Sequence, residues 1–200
     1  MNARTVSGFR SEIVNGDILV IRFTRPEIRN PLSIHVLNDL YGEIEMLNDV
    51  EGFRLIIFTG TDDVFASGAD LREIGALTNA GAPGFARRGQ SLMNKIAALP
   101  QTSIAAVNGY CFGGALDLAL ACDYRIASPN AKFAHPGASL GIITGWGGTQ
   151  RLPRLVGQAN ALEMFFAAAP FDAQRAMRIG LIDEIADDPC GHALTFVRPA

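Results

Sequence analysis

Two glycine-rich turns, each set between an apolar strand-like run and a helix-like run, restrict this chain more than any other feature. The first is Phe65-Ala66-Ser67-Gly68-Ala69-Asp70-Leu71, and the second is Asn108-Gly109-Tyr110-Cys111-Phe112-Gly113-Gly114-Ala115-Leu116-Asp117. A turn that passes directly into a helix presents the helix's first N–H groups, which have no acceptor inside the helix and lie at its positive end. Small residues there let a ligand oxygen come close to the backbone. Taken singly, such a turn is most often a tight-turn device. Two brought together would aim two donors at one oxygen, the geometry that stabilises an oxyanion or thioester enolate.

The runs around these turns alternate in type. Residues 18–23 (ILVIRF) and 54–59 (RLIIFT) are short, β-branched and bounded by turn residues, as strands are. Between them Ile34, Leu37, Tyr41, Ile44 and Leu47 recur every three to four residues, the period of an amphipathic helix. Leu92, Ile96 and Leu99 mark a second helix that Pro100 closes. Strands at 103–107 and 124–127 flank an apolar helix at 114–121. Asp172 is placed to cap a helix running to Ile179, with Gly180 to end it and a last strand at 181–185. Strands alternating with helices at this spacing predict an α/β fold with parallel strands. One domain is expected over residues 1–186, with 187–200 an irregular tail.

Composition narrows the function classes. At 48% hydrophobic and 18% charged residues the chain suits a packed domain, and a net charge of −3 offers no broad attraction to nucleic acid or an anionic membrane. The N-terminal residues hold no apolar stretch, so neither a secretory signal nor a membrane span is expected. Cys111, Cys122 and Cys190 are odd in number and lack CxxC spacing, and His35, His135 and His192 are dispersed. That pattern argues against a disulfide framework or a metal site and fits a reducing, cytoplasmic setting.

Read as a whole, the sequence resembles the crotonase (enoyl-CoA hydratase/isomerase) family over nearly its full length. Residues 65–71 look like that family's first oxyanion loop and residues 105–127 like its second. Leu140-Gly141-Ile142-Ile143 and residues 147–157 (GGTQRLPRLVG) look like its next signature block. The resemblance implies a spiral of ββα repeats and oxyanion donors on the backbone of Ala69 and Gly114. It further implies that Ala66, Ala69, Asp70, Leu71, Arg72 and Gly114 line the site of an acyl-CoA thioester, with Arg29 and Arg72 as phosphate contacts. No metal and no separate cofactor are implied, since coenzyme A is carried by the substrate. A homotrimer or hexamer is the assembly it suggests, and family members usually continue into a C-terminal helical piece, whereas little follows Ile185 here.

The sequence also departs from the family's pattern. Hydratases of the family handle water and proton with two glutamates; Asp117 stands at the first position and Gly137 at the second. A shorter carboxylate and a missing one argue against efficient two-carboxylate hydration, because loss of a general acid or base costs about 10²–10⁴-fold. Isomerisation needs one shuttling group, which Asp117 alone supplies. Restoring both carboxylates should raise hydration if Gly137 is not held at positive φ. His135 is a second acid–base candidate, against a merely structural role beside Pro136, and Trp146 replaces a small residue in the acyl loop. The expected activity is therefore of hydratase or isomerase type, with Asp117 catalytic. A non-catalytic acyl-CoA binder, or a decarboxylase or hydrolase of CoA esters, stands as the alternative.

Overall fold

The computed structural model describes residues 3–47 and 52–197. Its largest layer is a seven-stranded sheet in the order Ala3–Val6, Phe9–Val14, Ile18–Phe23, Leu55–Thr59, Thr102–Val107, Tyr124–Ala127, Glu184–Ile185. The first three strands pair antiparallel through tight turns at Gly8 and Gly16, both at positive φ, and the rest pair in parallel. A smaller sheet sets Val64–Ala66, Tyr110–Phe112 and Lys132–Ala134 in parallel, with Phe171–Asp172 antiparallel at its edge. Pro31–Leu32 pairs with Gly68–Ala69 in a third.

Eight α-helices complete the described chain: α1 (Ile34–Leu47), α2 (Leu71–Gly75), α3 (Ala82–Ala97), α4 (Gly114–Ala121), α5 (Gly148–Val156), α6 (Gln158–Ala167), α7 (Ala173–Arg178) and α8 (Pro189–Leu194). Strand 55–59 is followed within a few residues by strand 64–66 and then α2 and α3. Strand 102–107 is followed in the same way by 110–112 and α4, and strand 124–127 by 132–134 and then α5. Each turn of this spiral adds one strand to each sheet and one helical segment outside, as the ββα expectation required.

The central strands read as unbroken apolar runs because both faces of the large sheet are covered. Leu19, Ile21, Ile56, Phe58, Ala105 and Val107 face the main core beneath α1, α3 and α4. Their neighbours Ile18, Val20, Leu55, Ile57, Ile104, Ala106 and Ile126 face the other way and form a second core with Ala193 of α8. That second core corrects the expected irregular tail: within 187–200, Asp188 caps Gly191 N–H, Pro189 opens α8, and Phe196 packs on Tyr124 with ring centroids 4.6 Å apart. An apolar sheet face needs a cover, and this helix supplies it.

Candidate active site

The spiral sets the two glycine turns against each other. Gly68 has φ +87°, and a Cβ on it would lie 2.6 Å from both Gly114 N and Phe112 O, so the two backbones touch without an intervening side chain. Gly113, at φ 55°, donates its N–H to Ala134 O at 2.9 Å and turns the chain into α4. Gly114 is the first residue of α4, and its N–H has no acceptor within the helix. Ala69 and Gly114 both line one cleft of about 220 Å³. The cleft wall is apolar, built from Leu71, Ile74 and Leu77, from Phe85 and Ala86 of α3, and from Leu140, Ile142 and Ile143. Leu71 is 59% exposed and Ile143 63% exposed, so the cleft mouth offers bare hydrocarbon to a ligand.

The other residues expected to line the site are placed differently. Ala66 is buried in its strand opposite Cys111 and does not reach the cleft. Asp70 caps α2, accepting from Arg72 N at 2.9 Å and from Arg72 Nη2 at 2.7 Å. The Arg72 guanidinium thereby holds the Asp70 carboxyl below its usual range, with burial opposing. Asp70 is thus a capping residue, and Arg72 stands at the surface beside it. Arg29 lies over the Tyr110 ring at 5.1 Å and 3.5 Å from Asp63, while its carbonyl accepts from Ser67 N–H at 2.9 Å and braces the first turn.

Asp117 is fully buried and does not line the cleft. The Thr144 hydroxyl donates to its Oδ2. Burial raises its pKa to about 7, and Thr144, the Trp146 backbone N–H and the charge of Arg151 offset only part of that. His135 does line the cleft, although it is only 3% exposed. Its Nε2 lies 3.8 Å from Asp117 Oδ1, and its ring is 5.1 Å from that of Phe165. Burial lowers the His135 pKa to about 4, so the imidazole is neutral at pH 7.

Gly137 is not among the glycines at positive φ. Its constraint is space: a Cβ would sit 2.7 Å from Ile142 O, whose N–H donates back to Gly137 O at 3.0 Å. A carboxylate at 137 would therefore have to open this loop, and a glutamate at 117 would press on Gly148, whose position already leaves no room beside Asp117 Oδ1. Trp146 forms the floor. A Cβ on Gly114 would meet its ring at 2.3 Å and one on Gly89 at 2.2 Å, so two glycines make the slot in which the indole lies. Leu71 lines the cleft as expected, but Thr144 and the rest of the apolar wall were not identified from sequence; loop 141–147 has no period from which to read a face. No cluster of metal-ligating side chains occurs among the described residues.

Two interleaved sheets that hold a pair of helix-entry turns over an apolar cleft define the crotonase class of fold. Within that class the chain belongs to the enoyl-CoA hydratase/isomerase family, whose model matches residues 14–190. It is 40% identical over 169 residues to a crotonyl-CoA hydratase of Syntrophomonas wolfei, covering 84% of this chain and 65% of that one. It is 41% identical over 160 residues to a probable enoyl-CoA hydratase of Bacillus subtilis, covering 80% and 62% respectively. Among solved structures, Pseudomonas aeruginosa DspI superposes with a TM-score of 0.89 at 35% identity, over 94% of this chain and 78% of that one. The chain spans less than two thirds of the length of the curated relatives it matches first, 65%, 66% and 62%.

Proposed function

We propose that this protein is an acyl-CoA enzyme of hydratase or isomerase type that binds the thioester oxygen between the N–H groups of Ala69 and Gly114 and so stabilises an enolate. The contact of the two turns on the wall of an apolar cleft carries this reading. Backbone donors fixed before the substrate arrives need no reorganisation as charge builds on the oxygen, which is where such donors contribute most. Family membership and relatives named as hydratases support the acyl-CoA substrate class. Coenzyme A comes with that substrate, so the reading needs no resident cofactor. Assembly as a homotrimer or hexamer, and a cytoplasmic setting, belong to the same reading, the latter supported by three free cysteines of which two are buried.

The test is ligand-dependent stability followed by turnover. Crotonyl-CoA that binds only the folded state should raise Tm with the logarithm of its concentration. Incubation with 2-enoyl and 3-enoyl esters should then give hydrated or isomerised product by mass and absorbance. Folded protein that shows no Tm shift and no calorimetric signal with saturating ester would end this reading. Binding without turnover of any ester would leave a non-catalytic binder in its place.

A further inference from the structure

Three buried polar atoms at one spot beside the cleft have no hydrogen-bond partner: Asp117 Oδ1 and both ring nitrogens of His135. Buried polar groups are nearly always paired, and an exception calls for a reason. Here the orphaned atoms face one another, His135 Nε2 and Asp117 Oδ1 being 3.8 Å apart. Of the two side chains only His135 meets the cleft; it carries the one titratable side chain on the cleft wall among the described residues. Asp117 sits behind it at zero exposure, its other oxygen taken by Thr144. The His135 ring borders the cleft with both nitrogens covered and Nε2 turned to Asp117, which leaves Nδ1 as the nitrogen for an entering ester to meet. A carboxylate set behind the ring can fix it and stabilise its charged form.

We propose that His135 is the catalytic acid–base of this site, and that Asp117 is a positioning residue that holds the imidazole and balances its charge. This rests on the enolate reading above. In isomerisation the neutral imidazole takes a proton from C2 of a 3-enoyl ester. The C–H electron pair moves into the thioester, the oxygen is held by the two N–H groups, and the imidazolium returns the same proton at C4. In hydration the imidazole takes a proton from water as the water oxygen bonds to C3. The double-bond electrons pass to the thioester oxygen, and the imidazolium then delivers its proton to C2. Either way one proton leaves and returns, and no reactant other than ester and water is needed. A single histidine thus stands in for the carboxylate that Gly137 lacks.

The titratable groups around the pair are Arg151 of α5, which acts on Asp117 through its charge, and Cys111 of strand 110–112; α6 presents the Phe165 ring. Burial already leaves His135 in its basic form at neutral pH. Ionisation of Asp117 near pH 7 then supplies the counter-charge for the imidazolium.

His135→Gln and Asp117→Asn, each checked for folding by crotonyl-CoA-dependent Tm shift, test this with steady-state turnover against pH. His135→Gln should lose about 10²-fold or more of kcat with ester affinity unchanged. The wild-type rate should climb with pH through about 7, where Asp117 ionises. In Asp117→Asn the rate should be lower and that acid limb absent. Should His135→Gln fail to fold, the limb in Asp117→Asn decides alone. Wild-type-like turnover in His135→Gln, or an unchanged acid limb in Asp117→Asn, overturns the proposal and leaves the enolate reading standing. A wild-type protein that binds esters and turns none over brings down both.

Discussion

At the scale of single residues, the Trp146 indole carries more of the site's character than its place in the chain suggests. Its ring fills a slot that exists because positions 89 and 114 are both glycine, and it leans on Phe85 with centroids 5.6 Å apart. The ring thereby closes the cleft beside the second turn, and on the acyl-CoA reading proposed above it would limit the length of acyl chain that fits. Trp146→Ala should raise kcat/KM for an eight-carbon enoyl-CoA relative to crotonyl-CoA by at least about tenfold, in line with what a few added methylene contacts contribute. The same change should cost about 3–5 kcal/mol of stability, because a buried aromatic is removed and its cavity remains. An unchanged ratio of the two specificity constants would show that the chain-length limit lies elsewhere. In sequence this tryptophan was visible only as an oversized residue in an acyl loop; the two facing glycines lie 57 and 32 positions earlier and nothing local connects them to it. His135 shows the same limit. A histidine beside a proline carries no mark of what lies across from it, and the unpartnered carboxylate was 18 residues away.

At the scale of elements, the sequence carried the long strands and helices with little error. Ile18–Phe23, Ile34–Leu47, Gly114–Ala121 and Tyr124–Ala127 fall where period and turn residues placed them, and Asp172 caps Arg175 N–H at 2.8 Å as its position suggested. The second sheet was missed. Its strands are two or three residues long, too short to display an alternation of two, and they form because the neighbouring turn of the spiral offers an edge. The N-terminal hairpin was missed for a related reason: strand 9–14 mixes Arg10, Ser11 and Glu12 with its apolar residues, and only Phe9 and Ser11 are buried. That the two glycine turns come together was legible, and a matched pair of variants tests how firmly. Gly16 and Gly68 share nearly the same φ, +85° and +87°, but a Cβ at 16 meets nothing within 4 Å while one at 68 strikes the second turn. Gly16→Ala should cost about 1–2 kcal/mol, the strain of a left-handed alanine alone. Gly68→Ala should cost at least about 2 kcal/mol more from overpacking, and should abolish crotonyl-CoA-dependent stabilisation. Urea unfolding with and without ester measures both; equal losses in the two variants would mean that the turns are not locked together.

At the scale of the whole molecule, the Asp117–His135 pair should leave a signature in how stability responds to pH. Asp117 is raised from 3.8 to about 7 in the folded state, so its contribution is full below 3.8 and is lost as pH rises through about 7. His135 is lowered from 6.5 to about 4, so its contribution is full above 6.5 and is lost as pH falls through about 4. Between pH 4 and 6.5 the two oppose each other. The unfolded chain then holds one proton, on the histidine, and the folded chain also holds one, whichever member of the pair carries it. The pair accordingly adds no slope there, and removing one member exposes the other. Relative to wild type, Asp117→Asn should gain about 3 kcal/mol of stability from pH 4 to 6.5, at ~1.4 kcal/mol per pH unit for one proton. His135→Gln should lose about as much over the same interval, because its folded state alone then keeps a proton that the unfolded state has released. Urea midpoints at half-unit pH steps, compared among the three proteins, give these slopes directly. Parallel profiles would mean that the two side chains are not buried in solution, and opposite slopes would show that burial shifts the two groups in opposite directions.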